Sequence, residues 1–177
     1  REENVMRINL VPVKGGQGTT VVSVALAYSL GREHDNVTLE DNEDVRAICG
    51  LGQGINPVDV GGFTIHPDVN LDSLVVGENP QPTVRINLAV VRNDYLTLRR
   101  FMQNNVEVDG VIVVMEPERP LNVRDVQDVV GVPVVASFPV SPVIARAVDA
   151  GTLIMRMPKE LEHPMNRIKQ FITNKGA

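Results

Sequence analysis

The segment from Val13 to Thr20 carries the residue types best suited to chemistry in this chain, and that chemistry is the binding of a phosphate. Its letters are Val-Lys-Gly-Gly-Gln-Gly-Thr-Thr. Glycines admit close backbone approaches that a side chain would block, so successive N–H groups can point at an anion. A threonine at the end of such a loop is placed to hold Mg²⁺. The predicted phosphate-binding residues are Gly15, Gly16, Gln17, Gly18, Thr19 and Thr20, with Thr20 also a predicted Mg²⁺ ligand.

The neighbours of this loop predict the elements that would position it. An apolar run that includes Ile8, Leu10 and Val11 precedes the loop and favours a strand. A helical pattern of Val, Ala and Leu follows from Val21 to Leu30. A strand, a glycine-rich turn and a helix N-terminus in this order direct the positive end of the helix dipole at a bound anion.

The loop also departs from the phosphate-binding motif at two positions. The motif requires a lysine before its final Ser or Thr, and Thr19 stands there; its first glycine is replaced by Val13. A hydrogen bond to a charged group contributes about 1.5–3 kcal/mol. Loss of the lysine therefore predicts roughly ten- to a hundredfold weaker phosphate binding. The transition state of phosphoryl transfer depends more strongly on such charges, so we expect hydrolysis to suffer more than binding.

The order Lys14-Gly15-Gly16-x-Gly18 resembles the deviant P-loop of the ParA/MinD family of ATPases, in which a lysine precedes the two glycines. The resemblance implies ATP or ADP with Mg²⁺ as the ligand. It also implies that Lys14 reaches across a nucleotide-sandwich homodimer to the partner's phosphate, a catalytic role in trans. The alternative interpretation of Lys14 is a solvated loop lysine.

Two later segments extend the resemblance over most of the chain. The segment from Val37 to Glu43 is similar to the family's second strand, which ends in Asp-x-Asp, and it places Asp41 at the first acidic position and Glu43 at the second. The resemblance implies a catalytic, water-orienting or Mg²⁺-binding role for Asp41, and simple capping is the alternative. Glu40, Glu43 and Asp44 are otherwise interpreted as solvated loop acids. The run 132–139 and the pattern 145–151 resemble the family's late strand and the helix after it.

Two further positions differ from the family pattern. The strand that should carry the Mg²⁺-organising Asp has Gly77 in that place, with Glu78 adjacent. Where the family often has an Asn that contacts adenine, this chain has Met115-Glu116-Pro117. These departures predict impaired hydrolysis and weaken the prediction of which nucleotide is bound.

Composition predicts one α/β domain over residues 1–177. The 177 residues are 43% hydrophobic but only 3% aromatic, so Val, Ile, Leu and Ala must fill the core. That composition suits strands buried on both faces of a parallel sheet. Short apolar runs alternate with helical patterns, which is typical of βαβ units. We therefore expect a three-layer, P-loop NTPase-like fold with a mainly parallel sheet of about six to seven strands and helices on both faces.

The pattern gives approximate bounds for each element. The predicted strands are Met6–Val11, Val37–Glu40, Leu74–Val76, Leu88–Val91, Val111–Met115 and Val132–Ala136. The predicted helices are Thr19–Arg32, Asp94–Asn104, Val123–Val130, Pro142–Ala150 and Pro164–Thr173. On the second of these helices Tyr95, Leu98 and Met102 should share one face. Gly131 should stop the third.

Several classes of protein are disfavoured by the composition. The lone Cys49 provides no disulfide framework and agrees with a reducing, cytoplasmic location; we interpret it as a small buried hydrophobe. No apolar run approaches the ~20 residues of a membrane span. The net charge of −5 argues against a globally basic nucleic-acid binder. His34, His66 and His163 show no zinc-ligand spacing, and the helix serines lack a Gly-x-Ser-x-Gly elbow.

Three regions admit two interpretations. The glycine-rich stretch Gly50–Asn70 is either a flexible switch or a plain long connection, and the latter is favoured. The basic clusters Arg99–Arg100 and Arg167–Lys175 are either solvated faces or contacts for nonspecific DNA, and solvated faces are favoured. The amphipathic tail (Met165, Ile168, Ile172) should dock against the protein's own core, the alternative being a membrane-targeting helix.

Two functions remain open from the sequence. One is a ParA/MinD-like nucleotide-binding protein that partitions or positions DNA or another cargo with impaired or absent ATP hydrolysis. The other is a pseudo-ATPase scaffold, or protein-interaction module, that no longer binds nucleotide. Thr19 and Gly77 favour the second function, whereas Lys14, Gly18, Thr20 and Asp41 favour the first. Whether the chain is an enzyme is left undecided by these residues, and a partner protein is expected under either interpretation.

Overall fold

The computed structural model describes residues 6–13, 17–67, 74–77 and 86–176. Strands and helices alternate along most of this part of the chain, as the βαβ pattern predicts. The elements are β1 (Arg7–Pro12), α1 (Gln17–Gly31), β2 (Val37–Glu40), α2 (Glu43–Ile48), β3 (Val58–Asp59), β4 (Thr64–His66), β5 (Leu74–Gly77), β6 (Ile86–Arg92), α3 (Tyr95–Gln103), β7 (Gly110–Met115), α4 (Val123–Val130), β8 (Val134–Pro139), α5 (Pro142–Asp149) and α6 (Lys159–Gly176).

The strands form one sheet of eight in the order β3-β4-β2-β5-β1-β6-β7-β8. All pairings are parallel except that of β3 with β4 at one edge. β1 lies centrally, where Asn9 pairs with Gly77 of β5 on one side and with Asn87 of β6 on the other. The predicted α/β class with a mainly parallel sheet is confirmed. The predicted number of strands was too small, because β3 and β4 fold within the stretch interpreted as a plain connection.

The sheet separates two hydrophobic cores. The larger core lies on the side of α1, α2, α5 and α6 and contains alternate strand residues such as Ile8 and Leu10. The smaller core lies on the side of α3 and α4, where Leu98, Phe101 and Val126 meet Val91 and Val113. Helices therefore cover both faces of the sheet, as the composition predicted.

α1 is buried along most of its length because apolar residues occupy nearly every side of it. Val22, Val24, Ala25, Leu26 and Ala27 are each fully buried between the sheet, α2 and α6. The helix ends at Gly31, and a Cβ at that position would collide with the backbone carbonyl oxygen of Gly62. Glycine at residue 31 therefore permits the end of α1 to lie directly against the loop between β3 and β4.

Side chains at the helix ends explain several boundaries. Asp94 caps α3, and Asn122 caps α4 in a reciprocal capping box with Asp125. Ser141 caps α5, with Pro142 at the start of that helix. The predicted stop at Gly131 is confirmed, since this residue adopts the left-handed conformation after α4 with φ 72°.

Two helices differ in detail from their predictions. The helix places Tyr95, Leu98 and Met102 on one face, as predicted, but of these only Leu98 is buried, because Tyr95 is 70% exposed and Met102 48% exposed. The other buried residues of α3 are Thr97 and Phe101. α6 begins earlier than predicted and includes Pro164 within it. Its residues Met165, Ile168 and Ile172 are buried in the larger core, which confirms the predicted docking of the tail.

One half of the sheet lacks an apolar layer on the α3 side. The smaller core includes no residue of β2, β4 or β5 among those that the structure describes. Strand alternation instead directs Arg7, Asn9 and Thr38 to this face, and all three are buried. The Nε and Nη2 atoms of Arg7 and the Oδ1 atom of Asn9 have no hydrogen-bond partner in the described part of the chain.

Candidate functional site

The predicted site residues that the structure describes, Gln17 to Thr20 and Asp41, lie at the carboxyl edge of the sheet. β1 leads into the glycine-rich loop and α1, β2 ends beside Asp41, and β5 ends at Gly77. Because β2, β5 and β1 are neighbours and parallel, their carboxyl ends share one edge. Ligands of open α/β sheets bind at this edge, so the position agrees with a binding site.

The N-terminus of α1 is the described part of the predicted phosphate-binding segment. The helix begins at Gln17, and Lys14, Gly15 and Gly16 lie outside the described residues. The first N–H groups of a helix have no partner within it, and no acidic residue stands in this first turn. A Cβ at Gly18 would lie at an ordinary van der Waals distance of 3.5 Å from Val114. The donors available here therefore fit an anion such as a phosphate.

Thr19 and Thr20 lie in the first turn and are almost completely buried, at 5% and 4% exposure. The carbonyl oxygen of Thr19 accepts a hydrogen bond from the Ser23 hydroxyl at 3.0 Å. The place of the motif lysine is thus occupied by a short neutral side chain at the foot of α1. Thr20 also makes an interaction in the structure.

Asp41 is held by Arg46 in a nearly buried ion pair. The side chain of Arg46 is 8% exposed and that of Asp41 9%. Arg46 Nε donates to both carboxylate oxygens of Asp41, at 2.9 and 3.0 Å, and its Nη2 donates to Oδ2 at 2.7 Å. The carboxylate of Asp41 raises the pKa of Arg46, because its hydrogen bonds favour the charged guanidinium. α2 is capped by the next residue, Asn42, whose Oδ1 accepts from the N–H of Val45.

Glu40 was interpreted as a solvated loop acid, but it is the last residue of β2 and only partly exposed. A Cβ at Gly77 would collide with the Oε2 atom of Glu40. The carboxylate of Glu40 therefore lies over the position where the family pattern has an aspartate side chain. Glu78, the other residue considered for that role, lies outside the described residues. The alternation along β2, which puts Glu40 on the same side as Thr38, was the signal available in the sequence.

Glu116 lies after β7, where the family often has its adenine-contacting Asn, and two arginines hold it. Arg92 Nη1 donates to Glu116 Oε1 at 2.7 Å, and Arg119 Nε donates to Oε2 at 2.9 Å. The hydrogen bond from Arg119, and next that from Arg92, lower the pKa of Glu116. Buried Asn93 donates to the carbonyl oxygen of Glu116 and accepts from its N–H. Sequence reasoning missed this network because Arg92 and Asn93 lie 24 and 23 positions before Glu116.

Cys49 is half buried against the larger core. Burial disfavours the thiolate and raises the pKa of this cysteine to about 12. The thiol is therefore protonated at neutral pH, as expected for a small hydrophobe in the core.

The described residues include the predicted Mg²⁺ ligands Thr20 and Asp41. They contain no group of three or more His, Cys, Asp or Glu side chains that could hold a metal ion. Asp41, predicted with Thr20 as a Mg²⁺ ligand, has both oxygens engaged by Arg46 and would have to leave that partner. The roles of Asp41, Thr20 and Lys14 therefore stay predictions.

The fold compares closely with solved structures over nearly the whole chain. The MinD cell division protein of Aquifex aeolicus matches with a TM-score of 0.74 at 14% identity, covering 95% of this chain and 97% of that one. A ParA family ATPase from Chlorobium tepidum TLS matches with a TM-score of 0.67 at 11% identity, covering 91% and 97%. This chain has the ParA/MinD fold.

A third structure and a complex add to this comparison. A nucleotide-binding protein of Archaeoglobus fulgidus in complex with ADP matches with a TM-score of 0.61 at 13% identity, covering 90% of this chain and 92% of that one. The Aquifex MinD is also known in a complex with MinC. No protein-family model and no curated protein matches the sequence. Within the described residues, no helix has the length and apolar character needed to cross a membrane.

Proposed function

We propose that this chain is a ParA/MinD-like protein that binds the phosphates of an adenine nucleotide at the N-terminus of α1. In this proposal it positions DNA or another cargo in the cytoplasm, with slow or absent ATP hydrolysis. The observation that carries the proposal is the passage from β1 through the glycine-rich loop into α1 at the carboxyl edge of a ParA/MinD-like sheet. The ADP complex of the Archaeoglobus protein supports the choice of nucleotide.

Three features support binding without efficient turnover. Thr19 supplies no formal charge where the motif has a lysine, and Gly77 supplies no carboxylate. Asp41 is bound to Arg46. Phosphoryl transfer depends on fixed charges around the transferred group, and each of these features removes or occupies one of them. Backbone N–H groups at the helix terminus still favour a bound phosphate.

Calorimetry with ATP and ADP in the presence of Mg²⁺ tests this function. We expect weak binding by the wild type and roughly ten- to a hundredfold tighter binding by Thr19→Lys, because a lysine adds a charged hydrogen bond to the phosphates. Gln127→Lys adds the same charge at an exposed position on α4 and should leave affinity unchanged. Hydrolysis at rates typical of ATPases by the wild type, without gain in Thr19→Lys, would contradict the proposal.

The alternative function is a scaffold or interaction module that no longer binds nucleotide. The engagement of both Asp41 carboxylate oxygens by Arg46 favours it, since this carboxylate is then not available for a metal–nucleotide complex. The same titration separates the two functions. Absence of heat in both the wild type and Thr19→Lys would support the scaffold.

A further inference from the structure

A cavity of about 690 Å³ lies beside α2, at the carboxyl ends of β2 and β4. Its apolar wall consists of Ala47, Leu51, Ile55 and Pro67. Ile55 is 83% exposed and so is accessible to a molecule in the cavity. The volume falls within the range of built binding sites, and the wall can accept an aliphatic side chain.

Arg46 supplies a fixed hydrogen-bond donor to this cavity. Its Nε and Nη2 atoms are used by Asp41 and by the carbonyl oxygen of Asn56, which hold the guanidinium in place. Among the described residues, no acceptor forms a hydrogen bond with the Nη1 atom of Arg46, although only 8% of this side chain is exposed. A guanidinium fixed on one edge and open on the other presents a preorganised donor to an incoming acceptor.

The open edge depends on the absence of a side chain at Gly54. A Cβ at that position would lie 3.1 Å from Arg46 Nη1. By contrast, a Cβ at Gly52, two residues earlier in the same loop, would have no neighbour within 4 Å. A larger residue at 54 would therefore cover the donor, whereas one at 52 would not.

Charge at the rim selects the chemistry of the occupant. Asp41 already neutralises Arg46, so a second carboxylate would gain little from the guanidinium. Glu43 at the rim and Asp44 beside it are exposed acids, and the chain carries a net charge of −5. A neutral acceptor accompanied by a cation complements this surface better than an anion does.

We propose that this cavity binds an extended peptide segment of a partner protein that carries an aliphatic side chain flanked by lysine or arginine. The aliphatic side chain packs on Leu51 and Ile55, a backbone carbonyl of the segment accepts from Arg46 Nη1, and the basic residue faces Glu43. Aliphatic anchors with one oriented hydrogen bond are a common mode of peptide recognition. This proposal does not depend on nucleotide binding at α1.

NMR titration of the whole chain with acetyl-Lys-Ile-Ala-Leu-Lys-amide tests the proposal through backbone amide shifts. We expect saturable shifts concentrated in residues 41–56. Peptides with both lysines replaced by glutamate, or with Ile and Leu replaced by serine, should bind at least roughly tenfold more weakly. Shifts spread over the surface, no saturable shifts at millimolar peptide, or equal binding of the acidic peptide would overturn the proposal.

Matched variants locate the binding within the cavity. Gly54→Leu should lower the affinity for the peptide by roughly tenfold or more, because the leucine covers Arg46 Nη1. Gly52→Leu should leave this affinity unchanged. If Gly54→Leu does not fold, the peptide affinity of Ile55→Ser is compared with that of Leu96→Ser. Leu96 is an exposed leucine on α3, outside the cavity. Equal peptide affinity of the two variants in either pair would contradict the proposal. A non-hydrolysable ATP analogue that shifts the same residues and displaces the peptide would make the cavity part of a nucleotide site and would also overturn it.

Discussion

At the scale of single residues, the pair formed by Asp41 and Arg46 stabilises the junction between β2 and α2. Arg46 also donates to the carbonyl oxygen of Asn56, so one guanidinium connects the strand end, the helix and the following loop. A buried charge that loses its partner is strongly destabilising, whereas removal of both charges costs much less. The pair should therefore behave as a unit.

A double-mutant cycle measures this coupling. We expect Asp41→Asn and Arg46→Gln each to lower the free energy of unfolding in urea, and the double variant to lose clearly less than the sum of the two. Asp44→Asn, an exposed acid on α2, is the matched control and should change little. Additive losses would mean that the two side chains act independently.

Glu116 gives a prediction for pH. The arginines lower the pKa of Glu116 in the folded protein below its ordinary value, so folding favours the ionised carboxylate. The stabilising contribution is then fully present above the ordinary carboxyl pKa and is lost as pH falls through the lowered pKa. The wild type should exceed Glu116→Gln in stability at pH 7. This difference should shrink in acid and, because both arginines are half exposed, also in high salt. A difference that is constant with pH would contradict the assignment.

At the scale of elements, the contact of Gly31 with Gly62 fixes the end of α1 against the loop between β3 and β4. We expect Gly31→Ala to destabilise the protein by about 1–3 kcal/mol, because the added methyl collides with backbone that cannot rotate away. Gly52→Ala adds the same methyl in open space and should be nearly neutral. Urea unfolding measures the free energy of unfolding of both variants. Equal values would show that the contact between residues 31 and 62 relaxes to accommodate the methyl group.

The sequence predicted those elements whose pattern is local and missed those that depend on tertiary contacts. α4 and β2 have the predicted bounds. In both, the local sequence signals, namely the hydrophobic periodicity and the residues at the ends of the element, indicate the same structure. β3 and β4 are only two and three residues long, too short for periodicity. They form because β4 pairs with β2 and β3 pairs with β4. On α3, Phe101 is buried in place of Tyr95 because α4 and β6 decide which side of the helix is covered.

The candidate site, like the fold, could be predicted only in part from the sequence. The loop, the foot of α1 and the position of Asp41 could be inferred from glycine spacing and from the strand that precedes each. The partners of Asp41 and Glu116 could not, because side-chain pairing across elements leaves no periodic signal in one sequence. Glu40 was missed for the same reason, since its importance depends on Gly77 in a neighbouring strand.

At the scale of the whole molecule, assembly should depend on nucleotide if Lys14 acts in trans. Lys14 lies outside the described residues, so this stays a prediction. A chain without its own motif lysine should bind nucleotide weakly as a monomer, and binding and dimerisation should raise each other's affinity by the same factor. We expect a monomer or weak dimer alone and a shift toward dimer with ATP and Mg²⁺ at high protein concentration.

Sedimentation of the wild type and Lys14→Ala, each with and without nucleotide, checks this expectation. The wild type should shift toward dimer with ATP, and Lys14→Ala should not. Arg99→Ala, which removes an exposed charge from α3, is the control and should respond as the wild type does. A dimer of equal strength in the wild-type and Lys14→Ala samples, with and without nucleotide, would mean that assembly uses another surface. Lys14 would then be an ordinary solvated loop residue.

The central position of β1 also has a consequence for synthesis on the ribosome. Arg7 pairs with Val75, which is 68 positions later in the sequence, and β6 lies beyond that. The first strand and the largely buried α1 are therefore synthesised well before either neighbouring strand has been made. At ordinary elongation rates this interval lasts on the order of seconds. During that time the apolar residues of α1 have no complete sheet to pack against.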